Sequence, residues 1–185
     1  MKIGPKYRMP FKRRLEKKTN YKKRLALLLS EKPRLVIRRT LKHMKIQIVN
    51  YEPDGDKTVV SATTQELEKL GWKYSTSNIP AAYLAGLLIG QKAKKKKIKD
   101  LVIDFGPQIV LKGSRLYATV KGVIDSGIEV PCSDDVFPSE DRLKGENIVK
   151  YSKEKGDTYK IQFSKVKPDK MVEDFGKVKE KIMKG

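Results

Sequence analysis

Apolar side chains gather in three short strand-like runs between residues 34 and 62, separated by turn residues. Arg34–Arg39 reads Arg-Leu-Val-Ile-Arg-Arg, an apolar centre flanked by guanidinium groups. In Met44–Asn50 the alternation places Met44, Ile46 and Ile48 on one face, and Lys45 and Gln47 on the other. A turn at residues 41–43 joins these two runs, and Pro53-Asp-Gly-Asp56 is a turn signal before a third run at residues 58–62. Three consecutive strands on short turns predict an antiparallel meander.

The period then lengthens. Thr63-Thr-Gln-Glu66 is a capping box that opens a short helix, ended by Gly71, with Trp72 and Tyr74 following in a polar linker. Asn78-Ile-Pro80 supplies a cap and a first-turn proline for a longer helix. Its interior, residues 81–90, is almost wholly apolar, which assigns it to the core, and it is too short to span a membrane. Gly86 and Gly90 are spaced for close approach to a neighbouring backbone. Residues 101–104 form a short buried strand that follows a helix, so a parallel crossover is expected. Ser114 caps a further helix that Gly127 stops, with Leu116, Val120, Val123 and Ile124 on its core face. Residues 128–130 complete the strands before Pro131.

The two ends read differently from the middle. Residues 1–18 hold Pro5, Pro10 and many cations but too few apolar groups to fold alone, which predicts an extended arm. Fully extended, the first 24 residues span roughly 80 Å at ~3.3 Å each. Behind a cap signal at Thr19-Asn20, the side chains Tyr21, Leu25, Leu28 and Leu29 fall at helical spacing, and Pro33 is expected to stop that helix. The tail predicts a strand at residues 159–163, then a helix whose stripe of Met171, Val172, Phe175, Val178 and Ile182 docks on the body or on another protein. The expected plan is an arm at 1–18, a globular α/β domain at 19–148 and an extension at 149–185.

Charge turns this fold into a functional expectation. With 42 Lys+Arg against 22 Asp+Glu the net charge is +20, which implies a polyanionic partner. Nucleic acid fits better than a membrane surface, since no long apolar span exists and the basic runs sit in mixed contexts. Cations arrive first on the arm, then on a helix face, then on a sheet edge. Tyr7, Phe11 and Tyr21 interrupt them, so bases can stack as well as phosphates bind. A solubilising disordered tail is the plainer reading of the same arm. Residues 92–99 hold six lysines in eight positions, either compensating a helix C-terminus or meeting phosphate. Gly86-x-x-x-Gly-Gln-Lys92 has the wrong spacing for a phosphate loop and lies within a helix. Residues 129–141 reverse the balance with five acids and no base, and are expected to face solvent or a basic protein neighbour.

Residues for catalysis are sparse. Cys132 is the only cysteine, so no disulfide framework or thiolate metal site forms within the chain, and a reducing, cytoplasmic setting without a secretory signal is expected. His43 is the only histidine; at a hairpin tip among cations it reads as an RNA contact or an ordinary turn residue rather than a metal ligand. A metal-dependent nuclease needs carboxylates converging from several strands. Here Asp100 and Asp104 flank a strand and Asp134, next to Asp135, lies in the acidic loop, while the first three strands carry Arg, Lys and apolar residues. No cofactor, metal or small-molecule substrate is expected. The rivals are an RNA-processing nuclease built on Asp100, Asp104 and Asp134 and a DNA-compacting protein, the latter disfavoured by the acidic loop.

Several motifs together resemble a known family. Arg34-Leu-Val-Ile-Arg-Arg-Thr-Leu-Lys-His-Met-Lys-Ile-Gln-Ile-Val-Asn50, Lys112-Gly-Ser-Arg115, Gly122-x-x-Asp125-x-Gly127, Val136-Phe-Pro-Ser-Glu-Asp-Arg142 and Gly145-Glu-Asn-Ile148 resemble, in order, the archaeal large-subunit ribosomal protein family that binds 5S ribosomal RNA, universal family eighteen. The likeness runs from about Tyr7 to Ile148 and weakens from Val149. It implies an α/β fold, a three-layer α/β/α mixed sheet of the ribonuclease-H-like motif used without catalysis. It also implies a place in the central protuberance, where the protein joins 5S RNA to the large ribosomal RNA among neighbouring ribosomal proteins. The residues it puts forward for RNA are Arg8, Lys12, Arg13, Arg14, Tyr21, Lys22, Arg24, Arg38, Arg39, Lys42, His43 and Lys45, followed by Lys112, Ser114 and Arg115 at a helix N-terminus.

Overall fold

The almost uniformly apolar run after Asn78 becomes the central helix of the molecule, α4 (Ile79–Lys95). In the computed structural model, which describes residues 4–155 and 166–184, Asn78 Oδ1 accepts from the Ala81 amide at 2.9 Å to cap it. One side of α4 covers a four-stranded sheet: β1 (Arg34–Arg39), β2 (Met44–Asn50), β3 (Lys57–Thr63) and β4 (Val102–Asp104), in the order β3-β2-β1-β4. β1, β2 and β3 form the antiparallel meander, and β4 pairs parallel to β1 as the crossover requires. Leu35, Ile37, Met44, Ile46 and Ile48 are fully buried beneath α4, as their period-two spacing demands. Residues 128–130 do not extend the sheet as a strand; a single parallel bridge, Asp100 with Glu129, stands there instead. The expected strand at 159–163 lies outside the described residues.

The other side of α4 takes two helices, α5 (Arg115–Asp125) and α8 (Met171–Lys184). Contact with α5 depends on absent side chains: a Cβ on Gly86 would stand 2.2 Å from the Thr119 carbonyl oxygen, and one on Gly122 would stand 2.3 Å from that of Tyr83. Helix α8 settles where the tail stripe goes. Met171, Phe175, Val178 and Ile182 are buried on the body, Phe175 stacks on Tyr83 at 5.7 Å, and the Tyr74 hydroxyl donates to Asp174 at 2.9 Å. Burial, with that hydrogen bond, pushes Tyr74 up to about 12. Trp72, expected in a polar linker, is 1% exposed in the core, because Gly71 at φ +103 turns the chain inward after α3 (Glu66–Lys69). Helices α6 (Glu140–Lys144) and α7 (Glu146–Lys155) close the acidic segment, joined at Gly145 in the left-handed region. Among the described residues no helix is long and apolar enough to cross a membrane.

The opposite face of the sheet carries the third layer. Residues 12–18 are not extended: α1 (Lys12–Leu15) forms, Lys17 turns left-handed, and Arg13 Nε donates to Thr19 Oγ1 at 2.9 Å. Helical rise of about 1.5 Å per residue shortens the reach far below the extended length. Helix α2 (Tyr21–Leu28) follows, with Asn20 Oδ1 accepting from the Lys23 amide. It ends five residues before Pro33, where Ser30 Oγ donates to the Leu27 carbonyl and Glu31 adopts φ +53. Its inner face also departs from the expected one. Arg24, Leu27 and Leu28 are half-buried, while Leu25 and Leu29 are 62% and 76% exposed. The reason is an ion pair, described next.

Candidate nucleic-acid interface

Alternation on β1 and β2 sends Arg34, Val36 and Arg38 away from the core, opposite Val49, Gln47 and Lys45 respectively. Two carboxylates organise these arginines. Asp104 at the end of β4 lies 3.1 Å from Arg34 Nη1 and 3.2 Å from Arg38 Nη2, and its Oδ1 also accepts from the Gly106 amide. Asp56, from the β2–β3 turn, lies 2.7 Å from Arg34 Nη2 and is gripped from α2 by both terminal nitrogens of Arg24, at 2.7 and 2.8 Å. A chain of alternating charge results: Arg24, Asp56, Arg34, Asp104, Arg38. Arg34 is 2% exposed, so its charge is tolerable only beside both acids. The Arg24 fork rolls α2 so that a charged residue faces inward and the Tyr21–Leu25–Leu29 edge faces out. Bidentate pairing of this kind outweighs a short apolar stripe.

The Arg24 hydrogen bonds, reinforced by Arg34, hold the Asp56 carboxyl below its ordinary range against the opposing effect of burial. A depressed folded value means stabilisation that is present above the ordinary Asp value of about 3.9 and lost as pH falls below it. Acidification should therefore release α2 before the sheet opens. Amide hydrogen exchange across Tyr21–Leu28 is expected to rise at pH 3 relative to β1 and β2, and Asp56→Asn should produce the same rise at neutral pH. Unchanged protection of α2 in both would contradict the anchoring role.

The residues put forward for RNA fall into two groups. Among the described residues Arg8, Lys12, Arg14, Lys22, Arg39, Lys42 and Lys45 are exposed and carry no ion pair. Tyr21 stands 5.3 Å from Phe11, ring to ring, with Phe11 73% exposed. The second group is engaged within the fold. Arg24 and Arg38 hold Asp56 and Asp104, Arg13 holds Thr19, and His43 Nδ1 lies 3.0 Å from the Thr76 hydroxyl. Lys112 pairs with Asp135 of the acidic turn, and Arg115 donates to the Ser77 carbonyl at 2.6 Å. Ser114 stands at the cap position of α5, yet its hydroxyl makes no capping bond.

The lysine run after Gly90 is divided as well. Lys92 donates to the Ser61 carbonyl and pairs with Glu66, while Lys94 and Lys95 occupy the last turn of α4, where cations offset the helix dipole. The acids considered for metal chemistry stand apart in role. Asp100 pairs with Lys32, Asp104 with two arginines, and Asp134 begins an exposed single turn. Among the described residues no group of three or more His, Cys, Asp or Glu is placed to hold a metal ion. Sequence reasoning missed Asp56 and Asp104 as organisers of the arginines. An acid in the apolar Val-Ile-Asp strand, beside a strand of arginines, was the available signal.

The family model described as ribosomal large subunit proteins 60S L5, and 50S L18 matches residues 5–103. That is more than half of the chain, which belongs to this family. It is thus a large-subunit ribosomal protein, with ribosomal RNA and other ribosomal proteins as its partners.

Proposed function

We propose that this family member binds 5S ribosomal RNA and attaches it to the large ribosomal RNA in the central protuberance, as an archaeal structural protein without catalysis. The observation that carries the reading is the set of unpaired, exposed cations at two places, Arg8, Lys12, Arg14 and Lys22 before the sheet and Arg39, Lys42 and Lys45 at the β1–β2 end. Each phosphate they neutralise releases counterions, and the RNA's shape and unpaired bases supply specificity. Phe11 and Tyr21 are the stacking candidates. Arg13, Arg24, Arg38, His43, Lys112 and Arg115 act mainly by fixing the surface, with spare donors for RNA, while Ser114 stands at the start of α5 with its hydroxyl buried. The arm (1–18) and domain (19–148) divide the RNA contacts, and the extension (149–185) braces α4. Neighbouring ribosomal proteins meet the acidic turn, where phosphate would be repelled.

Competition binding tests this. The isolated chain should prefer 5S RNA over a tRNA of similar size by at least about tenfold, or ~1.4 kcal/mol, at every salt concentration. Equal affinity for the two across salt would sink it.

A further inference from the structure

The third layer does not seal against the sheet. Between α2 with its approach segment and the outer face of β1 and β2 lies a cleft of about 590 Å³. Pockets that enclose small ligands run from about 300 to 1,000 Å³. Six cations line it, Arg13, Lys18, Lys23, Arg24, Arg34 and Arg38, against two carboxylates in the lining, Asp56 and Asp104, and Glu16, which pairs with Lys18 at 2.8 Å, so the excess charge still calls for an anion. The remaining wall is unsuited to phosphate alone. Leu27, Val36, Val49 and Phe105 give it an apolar surface with one aromatic ring. On the floor, Gln47 is half-buried, and among the described residues its amide makes no hydrogen bond. Gln108, by contrast, is spent on the Ile37 and Phe105 carbonyls and the Arg39 amide. A cationic rim, an apolar floor and one free amide match a phosphate, the face of a base and the edge of that base.

We propose that the cleft is a receptor for one unpaired nucleotide of the bound RNA. The base lies against Leu27, Val36 and Phe105, Gln47 reads its edge, and Arg13, Lys18 and Lys23 take its phosphate. This rests on the RNA-binding reading above and adds a specific pocket to it. Arg24 and Asp56 close the Arg34 end of the cleft, so the pocket exists only while α2 is anchored.

Nuclear magnetic resonance of the full chain, titrated separately with each nucleoside 5′-monophosphate, ribose 5-phosphate and inorganic phosphate, tests the proposal. At least one nucleotide should shift the Gln47 side-chain amide saturably, with ribose 5-phosphate and phosphate about tenfold weaker, the scale of one stacked base. Gln47→Trp fills the floor without changing charge. It should abolish the nucleotide shifts of neighbouring amides and weaken 5S RNA binding about tenfold. Should that variant fail to fold, Val36→Phe serves the same purpose. Ribose 5-phosphate binding as tightly as every nucleotide would overturn the proposal, as would a folded plugged variant that binds nucleotide and 5S RNA like wild type. A wild-type chain without preference for 5S RNA would defeat the broader reading instead, and the nucleotide titration would still decide the cleft.

Discussion

Asp104→Ala will cost the fold about 1.5–3 kcal/mol, because it takes from a buried guanidinium one of its two carboxylates. Arg34 has 3% of its side chain exposed and lies between Asp104 and Asp56, while Asp104 also accepts from Arg38 and the Gly106 amide. Removing the carboxylate leaves Arg34 with Asp56 alone and opens the β1–β4 edge, where Val36 pairs with Asp104 in the ladder. Urea unfolding followed through Trp72, the single tryptophan and 1% exposed, reads the loss directly. Asp100→Ala is the internal control: its partner Lys32 lies half in solvent, and the unfolding midpoint should not move. A loss below about 1 kcal/mol for Asp104→Ala would mean that the buried arginine finds other compensation.

Deleting residues 1–18 should weaken 5S RNA binding on the order of 10²-fold near physiological salt and leave the fold intact. The segment carries eight Lys or Arg and one acid, Glu16. If half of those cations meet phosphate, the log–log salt slope falls by about 3, at 0.7–0.9 per contact. The domain should survive because no residue of the described part of this segment is buried, and α2 keeps its own anchor through Arg24 and Asp56. Filter binding across a salt series, paired with urea unfolding of the truncated chain, separates the two effects. A truncated chain that unfolds less cooperatively, or keeps the full slope, would contradict the role assigned to the arm.

Much of the architecture was legible because it rests on short-range regularities. The apolar-centred run Arg34–Arg39 and the period-two alternation in Met44–Asn50 identified the meander, and the apolar run after Asn78 identified the core helix with its closely spaced glycines. The stripe from Met171 to Ile182 announced a docking helix, though not the surface it docks on. What stayed hidden depends on pairs distant in sequence. Arg24 and Asp56 are 32 positions apart, and Arg34 and Asp104 are 70 apart; their attraction rolled α2 away from its apolar stripe. Trp72 sat among polar neighbours in sequence, and only the turn at Gly71 carried it inward. Residues 128–130 have strand-like composition, but one bridge to Asp100 is all the ladder they form.

The candidate site was half visible for the same reason. Charge and composition pointed to the arm and the hairpin, which offer exposed cations directly. They said nothing of which arginines the fold consumes. Arg24, Arg38 and Arg115 looked equivalent to Arg39 in the sequence, and each is held by a carboxylate or carbonyl. The cleft was invisible, since its lining comes from six separate stretches between Arg13 and Val110.

Ultraviolet crosslinking of large ribosomal subunits that contain this chain, with the peptides and nucleotides identified by mass spectrometry, tests the central claim most directly. 5S RNA adducts are expected at residues 7–24 and 39–45, and none across the acidic turn at 133–141. Adducts absent from both basic stretches, or a chain that does not sediment with the large subunit, would contradict that claim.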